Sequence, residues 1–490
     1  MRSWTFPIAL DATSHTPIFA QIALAIANDI ARGRLKKGDS LPGTRTLAET
    51  LGVHRTTVTA AYAELDAQGW VATRRGSSTF VATDSPDMRP RRFSKKEALQ
   101  QGGVAARTGF ALEPTSFPLR RVPNPPPGAL AMWGGTPDLR LVPVELLARA
   151  YRRAARDRGG KLLGYCEHGR GHDRLRDALA TMVSTARGIT AERENVMVTR
   201  GSQMALDLVT RVLVRPGDVV AVESPGYQFA FALFSRAGAR VLPIRVDEHG
   251  LDVDELARHA AQSRVRFVYV TPHHQFPTTT VLSPTRRLAL LELARKHGMA
   301  IVEDDYDQEF HYDGRPVLPL ASADAHGHVI YLGTLSKILA PGLRLGFVVA
   351  PEPLVARLAE EREIIDRQGD MVLESAVAEL LEEGEVQRHV RRMRRAYRAR
   401  RDALCEAVDK HLSSVVRYER PRGGLALWCT VSPDVDADQW LERARAKGVH
   451  FQTGREFTLD ASPAPHVRFG YAMLHERELT TAVRRMAQAL

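Results

Sequence analysis

This 490-residue sequence has few cysteines, and it lacks long apolar runs and the pattern of a secretory signal. Its three cysteines, Cys166, Cys405 and Cys429, are scattered and show no metal-binding spacing, so we expect neither a disulfide framework nor a zinc module. No apolar run is long enough to span a bilayer, so we expect no membrane partner. Residues 1–7 lack the basic-then-apolar form of a secretory signal. Together these absences favour a protein of the reducing cytoplasm.

The composition that remains is typical of a globular protein with more than one domain. Hydrophobic residues make up 44% of the chain and charged residues 26%, and the length exceeds that of one ordinary core. The formal net charge is +11. That balance permits an acidic partner such as DNA but does not by itself indicate one.

A lysine stands just past an apolar run, residues 329–332, that predicts a buried strand. Lys337 lies there among Thr334, Ser336 and Arg344. Partial burial and nearby cations make a lysine lose its proton more easily, and a neutral amine can form a Schiff base with an aldehyde. The hydroxyls and the arginine are suited to hold a phosphate beside it. The alternative is an ordinary surface lysine.

Alternating apolar strands and amphipathic helices from about residue 128 onward predict a largely parallel α/β sheet. Ligands of such sheets gather at the carboxyl ends of the strands. One predicted strand ends in Gly201, Ser202 and Gln203, where a helix begins. The glycine allows close backbone approach, and the positive helix end can bind an anion. A plain strand-to-helix turn is the alternative.

Three further side chains follow predicted strands and suit a flat heteroaromatic ligand. Tyr227 can stack on a ring, or it can be simple packing. Asp304 ends a buried strand, where a carboxylate needs a partner, and a protonated pyridine nitrogen would supply one. Tyr306 is placed to hydrogen-bond a ring hydroxyl. The neighbouring His273 and His274 invite a metal interpretation, which we disfavour because no third ligand is near in sequence.

The Lys337 segment resembles the pattern S-K-x-x-x-P-G-x-R-x-G of fold-type I aminotransferases, which use pyridoxal 5'-phosphate (PLP). The resemblance covers nearly the whole second domain. It implies that Lys337 is the catalytic Schiff-base lysine and that Arg468 binds a ligand carboxylate. Tyr165 matches a tyrosine that often reaches the neighbouring subunit's cofactor phosphate, which implies a dimer with shared sites. The implied cofactor-binding set is Lys337, Asp304, Tyr306, Tyr227, Gly201, Ser202, Gln203, Thr334, Ser336, Arg344, Tyr165 and His274.

One loop departs from the aminotransferase pattern. Gln275-Phe276-Pro277-Thr278-Thr279 replaces the element Asn-Pro-Thr-Gly, so the contact to the ring hydroxyl falls to His274 or Gln275. Asp304 and Tyr306 are also one residue closer than is typical. Apart from Thr279, both departures resemble the MocR (GabR-like) branch of the GntR regulators.

Residues 13–82 have the spacing of a small DNA-binding fold. Thr44 predicts the N-cap of a short helix, Gly52 its end, and Arg55 the start of a second helix, which is a helix-turn-helix arrangement. Two β-prone runs around a basic glycine turn, residues 70–81, predict a hairpin wing. A small helical cap is the alternative. A preceding amphipathic helix is predicted from Ile18, Ile22, Ile26 and Ile30.

This first segment resembles the GntR-type winged helix from end to end, as in Pro17–Ile22, Leu41–Arg45 and Arg55–Val58. His54 stands where serine is usual, and Ser78 replaces the second wing glycine. The start of the second helix would enter the major groove of DNA. The resemblance implies DNA contacts from Arg45, Arg55, Thr56, Thr57, Arg75, Gly76 and Ser77.

Residues 83–127 are polar and rich in proline, which predicts an extended linker. Residues 128–490 would then form the aminotransferase-like domain, with a large parallel-sheet part and a smaller part. The run Arg391–Arg401 could contact nucleic acid, but a solvated, salt-bridged helix is favoured.

The resemblance implies a PLP-dependent transcriptional regulator. An amino compound or PLP itself would be the effector, sensed at Lys337, and a homodimer would bind double-stranded DNA at paired half-sites. A head-to-tail exchange of domains between the two copies stays open. The alternatives are an active aminotransferase with an autoregulatory DNA-binding domain, and a DNA-binding protein with an inactive second domain. The sequence names neither the effector nor the operator.

Overall fold

A computed structural model describes residues 8–11, 16–73, 78–82, 107–112, 117, 124–166 and 169–490. The chain divides into two compact units, Met1–Glu113 and Pro114–Leu490. The division falls inside the predicted linker 83–127, most of which lies outside the described residues. The predicted domain borders at 82 and 128 therefore stay predictions.

The first unit forms the expected winged helix. Its core is made by apolar residues that the helical spacing places on inner faces, among them Ile22, Ile26, Val58 and Leu65, which are all fully buried. The two strands pair antiparallel, Val71 opposite Val81. The elements are α1 (Ile18–Ala31), α2 (Thr44–Leu51), α3 (Arg55–Ala67), β1 (Val71–Thr73) and β2 (Thr79–Val81).

The structure corrects the predicted N-cap of α2 and shows which residue caps α3. Thr44 is the first residue of α2 and not its N-cap, which is Gly43 without a side-chain bond; the Thr44 hydroxyl instead accepts a hydrogen bond from Arg55 Nε at 3.3 Å. Gly52 ends α2 in the left-handed conformation with φ of 66°, as predicted. His54 caps α3, since its Nδ1 accepts a hydrogen bond from the Thr56 N–H at 3.4 Å.

The second unit alternates strands and helices. Short apolar runs form its central strands, and the longer amphipathic segments form helices that cover them. The strands are β3 (Leu130–Ala131), β4 (Val196–Thr199), β5 (Val219–Ser224), β6 (Arg240–Asp247), β7 (Gly250–Leu251), β8 (Val265–Val270), β9 (Ala300–Asp305), β10 (Val329–Thr334), β11 (Gly346–Val349), β12 (Val416–Tyr418), β13 (Ala426–Val431), β14 (Val449–His450), β15 (Gln452–Thr453) and β16 (His466–Gly470). The helices are α4 (Val144–Arg156), α5 (Asp173–Arg187), α6 (Ser202–Leu213), α7 (Gln228–Arg236), α8 (Val253–Gln262), α9 (Pro284–His297), α10 (Glu352–Ile365), α11 (Met371–Glu382), α12 (Glu385–His411), α13 (Ala437–Ala446) and α14 (Glu476–Ala487).

The large sheet has eight strands in the order β4-β11-β10-β9-β8-β5-β6-β7. The pairs from β10 through β9, β8 and β5 to β6 are parallel, whereas β11 runs antiparallel to both its neighbours. The central strands are buried almost throughout. The carboxyl ends of β5, β8, β9 and β10 consequently meet at one edge of the sheet, which is the edge where the sequence places its candidate residues.

A smaller antiparallel sheet, β12-β13-β16-β15, lies after the long helix α12 in the chain. Its register sets Arg468 on β16 opposite Trp428 on β13. Strand β3 pairs in parallel with β14 in a separate two-stranded sheet, so the chain entering the second unit is attached first to the segment that precedes β15. Across the ranges described above, no helix combines the length and the apolar content needed to cross a bilayer.

Candidate functional site

A cavity of about 340 Å³ lies at the carboxyl edge of the large sheet. It brings together several predicted residues that are far apart in sequence. Its walls comprise Gly134, Gly135, Thr136, Ser202, Tyr227, Gln228, Phe229, Tyr269, Thr271, Phe276, Asp304, Tyr306, Lys337, Gln452 and Phe457. Five of these, Ser202, Tyr227, Asp304, Tyr306 and Lys337, belong to the predicted cofactor set.

Lys337 follows β10 and enters the cavity from the sheet edge. Burial lowers the pKa of its amine, while the nearby Asp304 acts in the opposite direction. Gly135 lies beside the amine, since a Cβ at that position would be in ordinary van der Waals contact with Lys337 Nζ, at 3.9 Å. The amine is therefore set up to be neutral, and hence nucleophilic, more often than that of a surface lysine.

Asp304 is the buried acid of the cavity, and it is only half satisfied. Its Oδ2 accepts a hydrogen bond from the Tyr269 hydroxyl at 2.7 Å, whereas its Oδ1 has no partner. Burial raises the pKa of Asp304 to about 6, and the bond from Tyr269 opposes that rise. A buried carboxylate oxygen without a donor is costly. The N–H of a protonated pyridine ring would supply the missing donor, so this residue fits the cofactor that the sequence implies.

The loop after β8 contains His274, one of the two residues predicted to contact a ring hydroxyl. The Tyr306 hydroxyl donates to the His274 backbone carbonyl at 2.8 Å. The His274 ring is buried beside Asp307, with 2.7 Å between His274 Nδ1 and Asp307 Oδ1. Burial alone would lower the pKa of His274, but Asp307 raises it. The Gln275 amide is bonded within its own loop. Neither side chain lines the cavity, so the ring-hydroxyl contact assigned to His274 or Gln275 stays a prediction.

Glu223, at the end of β5, was missed by the sequence reasoning. Its Oε2 accepts hydrogen bonds from the N–H and the hydroxyl of Thr271, at 3.0 and 2.6 Å, and from Gln275 Nε2 at 3.3 Å. Thr271 in turn accepts a hydrogen bond from the Phe276 N–H at 2.9 Å. Burial raises the pKa of Glu223 to about 7. This buried carboxylate therefore fixes the loop that carries the cavity wall Phe276.

The predicted anion-binding end of the site is formed by the start of α6. Gly201 has φ of 79°, and a Cβ there would lie 2.8 Å from Arg344 Nη2. The first N–H groups of any helix lack helical partners, so those of Ser202 and Gln203 can bind an anion. The Tyr227 hydroxyl donates to Gln203 Oε1 at 3.3 Å. These residues fit a phosphate group held between a helix start and an arginine.

Two predicted hydroxyls, those of Thr334 and Ser336, belong to buried residues that do not line the cavity. Thr334 Oγ1 accepts a hydrogen bond from the Ser336 N–H at 3.1 Å. Ser336 Oγ is buried and has no partner. Thr334 thus orders the turn that precedes Lys337, and the assignment of Ser336 to the cofactor stays a prediction.

Arg468 is completely buried and does not line the cavity. Its Nε donates to the Pro277 carbonyl at 3.2 Å, while Nη1 and Nη2 have no partner. The guanidinium carbon lies 4.7 Å from the centre of the Phe276 ring. Gly134 is pressed against it, because a Cβ on Gly134 would be 1.4 Å from Nη1. The predicted carboxylate-binding arginine is therefore present, behind two residues of the cavity wall.

Tyr165 is not part of the cavity formed by one chain. It is 80% exposed, and Arg367 lies over its ring at 4.4 Å. The Gln368 side chain holds the same segment through two hydrogen bonds. It accepts one from the Cys166 N–H at 2.7 Å and donates one to the Gly164 carbonyl at 3.2 Å. The side chain is thus ordered on the surface, which is where a residue serving a neighbouring copy would stand.

The candidate DNA-contacting residues of the first unit are only partly described. Arg45 on α2 and Arg55 and Thr56 at the start of α3 are exposed, and Thr57 is half-buried. The predicted wing residues Arg75, Gly76 and Ser77 lie outside the described residues. No group of three potential metal ligands occurs among the residues that the structure covers.

Two family models match the chain. The model described as aminotransferase class I and II matches residues 139–486. The model described as bacterial regulatory proteins, gntR family, matches residues 19–81. The two matches lie in different structural units.

Two regulators are similar to almost the full length of the chain. The probable rhizopine catabolism regulatory protein MocR of Rhizobium meliloti is 31% identical over 482 residues, which cover 98% of this chain and 95% of that protein. The HTH-type transcriptional regulator TauR of Rhodobacter capsulatus is 34% identical over 472 residues, which cover 95% of each.

Solved aminotransferase structures resemble about three quarters of the chain. One is LysN, an alpha-aminoadipate aminotransferase from Thermus thermophilus, complexed with N-(5'-phosphopyridoxyl)-L-leucine. It matches with a TM-score of 0.69 and 33% identity over 74% of this chain and 92% of that chain.

The buried Glu223 generates a prediction about pH and stability. Its pKa is about 7 in the folded protein against 4.5 for an unperturbed glutamate. Ionisation therefore opposes folding, so the contribution of Glu223 is full below about pH 4.5 and is lost as the pH rises through 7. By linkage the loss approaches about 3 kcal/mol. We expect Glu223→Gln to remove this part of the decline in the free energy of unfolding between pH 5 and pH 8.

The measurement is chemical denaturation of both proteins at each pH. Glu406→Gln changes an exposed glutamate on α12 and serves as the matched control. It should keep the pH dependence of the unchanged protein. Parallel pH profiles for Glu223→Gln and the unchanged protein would contradict the assignment.

Proposed function

Since the chain belongs to the MocR-type regulators, in which a gntR-family domain precedes a class I and II aminotransferase domain, we propose that it regulates transcription by sensing an amino compound or PLP at Lys337. The family resemblance and the fold class predicted from the sequence are confirmed. One observation carries the sensing part of the proposal. Lys337 and the unpartnered Asp304 Oδ1 belong to the same cavity.

We assign each part of the cavity to one part of PLP. Lys337 would hold the aldehyde carbon, Asp304 the pyridine nitrogen and Tyr306 the ring hydroxyl. Gly201, Ser202, Gln203 and Arg344 would hold the phosphate, and Tyr227 would pack on the ring. When bound, PLP supplies an aldehyde that can exchange the amine of Lys337 for the amine of a ligand. A ligand carboxylate would pair with Arg468, whose Nη atoms lack partners.

We further propose a homodimer. Exposed apolar side chains lie on two segments that Gln368 and Arg367 join, with Leu163 75% and Ile364 83% exposed. Such a set on a monomer usually marks an interface. Tyr165 is two residues from Leu163 and contacts Arg367, so the same contact would bring it to the partner's site. A two-fold dimer presents two copies of α3, which fits paired DNA half-sites.

An active aminotransferase is the second candidate, favoured by the 33% identity to a solved aminotransferase over 74% of this chain. The two functions differ in turnover. A sensor responds to one equivalent of ligand, whereas an enzyme releases many equivalents of keto acid from an amino donor and an acceptor.

Lys337→Ala should abolish the visible absorbance that develops when PLP is added to the full chain and excess cofactor is removed. The reason is that no other amine lines the cavity among the described residues. Lys447→Ala, which removes an exposed lysine, should keep the band.

DNA affinity is measured in the same titration with PLP and with amino compounds. Compounds that change both signals in the unchanged protein should change neither with Lys337→Ala. Retention of the band in that variant would falsify the assignment.

Arg55→Ala should weaken binding to DNA recovered by in vitro selection by about 10-fold to 100-fold, because a base or phosphate contact at the start of α3 is lost. Binding is measured by fluorescence anisotropy at fixed ionic strength. Arg32→Ala removes an equal charge at the end of α1 and should change affinity less than about 3-fold. Equal losses in the two variants would indicate attraction by net charge alone.

Ile364→Arg should shift the dimer toward monomer, raising the dissociation constant at least about 10-fold, because a charge would be buried in the interface. Molar mass by light scattering across a dilution series measures the shift. Leu288→Arg introduces the same charge at another exposed position, 68% exposed on α9, and should leave the mass unchanged. A monomeric unchanged protein, or a dimer insensitive to Ile364→Arg, contradicts this interface.

A further inference from the structure

A second cavity, of about 380 Å³, lies next to the Lys337 segment but apart from the first cavity. It is enclosed by the end of α5, the loop that follows β9 and the first turns of α12. Ile338 lines it, whereas Lys337 lines the first cavity. Consecutive residues of one segment therefore form walls of two different cavities. Nothing in the proposed PLP site uses this second space.

The walls of the second cavity carry an excess of positive charge. Arg187 is buried there and is paired with Glu309, so these two charges balance. Arg391 and Arg394, one turn apart on α12, also line the cavity. Neither has a carboxylate partner among the salt bridges of the described residues, in contrast to Arg398, Arg400 and Arg401 farther along the helix. Two positive charges thus remain available to an anion.

The same cavity contains a buried polar group that lacks a partner. Gln308 is 7% exposed, and its Oε1 makes no hydrogen bond. A buried amide oxygen without a donor is rare in folded proteins because it forfeits its hydration. A donor on a bound molecule would satisfy it. The residue is not part of the Glu223 or Asp304 networks.

The remaining walls are largely apolar, with Thr185, His311 and Gln387 as further polar residues. Met182, Ile338, Val386 and Val390 contribute hydrocarbon surface between the arginines and the interior. Arginine forks bind carboxylates or phosphates in a bidentate manner, and apolar walls with a few placed polar groups are characteristic of small-molecule sites. A purely inorganic anion would leave the hydrocarbon walls without a contact.

We propose that this second cavity binds a small organic anion that carries a hydrogen-bond donor at a distance from its negative group. Arg391 and Arg394 bind the carboxylate or phosphate, Gln308 accepts the donor, and the apolar residues cover the carbon frame. The site is separate from the proposed PLP site. Because Ile338 is its wall, the occupant contacts the residue that follows Lys337 in the chain.

The test uses the full chain and isothermal titration calorimetry with three probes at constant ionic strength: 4-hydroxybenzoate, benzoate and phenol. We expect 4-hydroxybenzoate to bind more tightly than benzoate, by about 3-fold or more, because only it can donate to Gln308. Phenol should show no measurable binding, since it lacks the charge. Phenol binding as tight as that of 4-hydroxybenzoate would overturn the proposal.

Variants locate the binding. R391Q/R394Q should weaken 4-hydroxybenzoate at least about 10-fold, whereas R392Q/R395Q should change it less than about 2-fold. Both pairs are exposed, lie on the same helix and remove the same charge, but only the first lines the cavity. Equal effects of the two pairs would indicate nonspecific attraction, and no effect of either would place the binding elsewhere; both outcomes overturn the proposal.

A third variant tests the hydrogen bond separately. Gln308→Leu should make 4-hydroxybenzoate and benzoate bind equally, and it should leave benzoate affinity within about 2-fold of that of the unchanged protein. If the difference in affinity between the two ligands persists in Gln308→Leu, the Gln308 amide does not accept the ligand's hydrogen bond and the proposal fails. The ratio of the two affinities within one variant is independent of the fraction of protein that is folded.

Discussion

The second unit depends on a carboxylate and an amine that are held out of water at one sheet edge. Asp304 and Lys337 come from neighbouring parallel strands, β9 and the end of β10, and both line the same cavity. Burial moves each pKa toward the neutral form, raising that of Asp304 to about 6 and lowering that of Lys337. Their mutual attraction opposes both shifts. The fold supplies this arrangement through the register of buried strands, and a ligand can use it because Asp304 Oδ1 is left without a partner.

Strand ends and helix starts were predictable from the sequence, whereas pairings across strands were not. The lysine after an apolar run, the glycine at the start of α6 and the acid at the end of β9 are local signals. Tyr269 was missed because it lies within β8, where an apolar pattern looks the same whether a hydroxyl has a partner or not. Only the parallel register of β8 with β9 brings it to Asp304. Glu223 was missed for the same reason, since its partner Thr271 follows another strand.

The arginine-rich part of α12 shows how one sequence pattern divides into different environments. The sequence favoured a solvated, salt-bridged helix for the run Arg391–Arg401. In the structure Arg400 and Arg401 are buried and pair with Asp138 and Asp313, respectively. The four arginines at the start of the run are exposed and have no such pairs among the described residues: Arg391, Arg392, Arg394 and Arg395. Arg398 is also exposed but pairs with Asp313. The helical period of 3.6 residues also divides the exposed arginines among different faces of α12, because Arg391 and Arg394 lie three residues apart and share one face. A linear count of charges does not distinguish these roles.

In the proposed function, Arg468 would link ligand chemistry to a change of conformation. Its guanidinium is fully buried behind Phe276 and Gly134, and its two terminal nitrogens lack partners. A ligand carboxylate can reach it from the cavity only if one of these walls moves. Gly134 closely follows β3, which is hydrogen-bonded to β14. A ligand that paired with Arg468 would therefore favour an arrangement in which that wall is displaced, and this differential affinity is what any transmitted signal requires. An amine without a carboxylate would exchange with Lys337 and leave that wall in place.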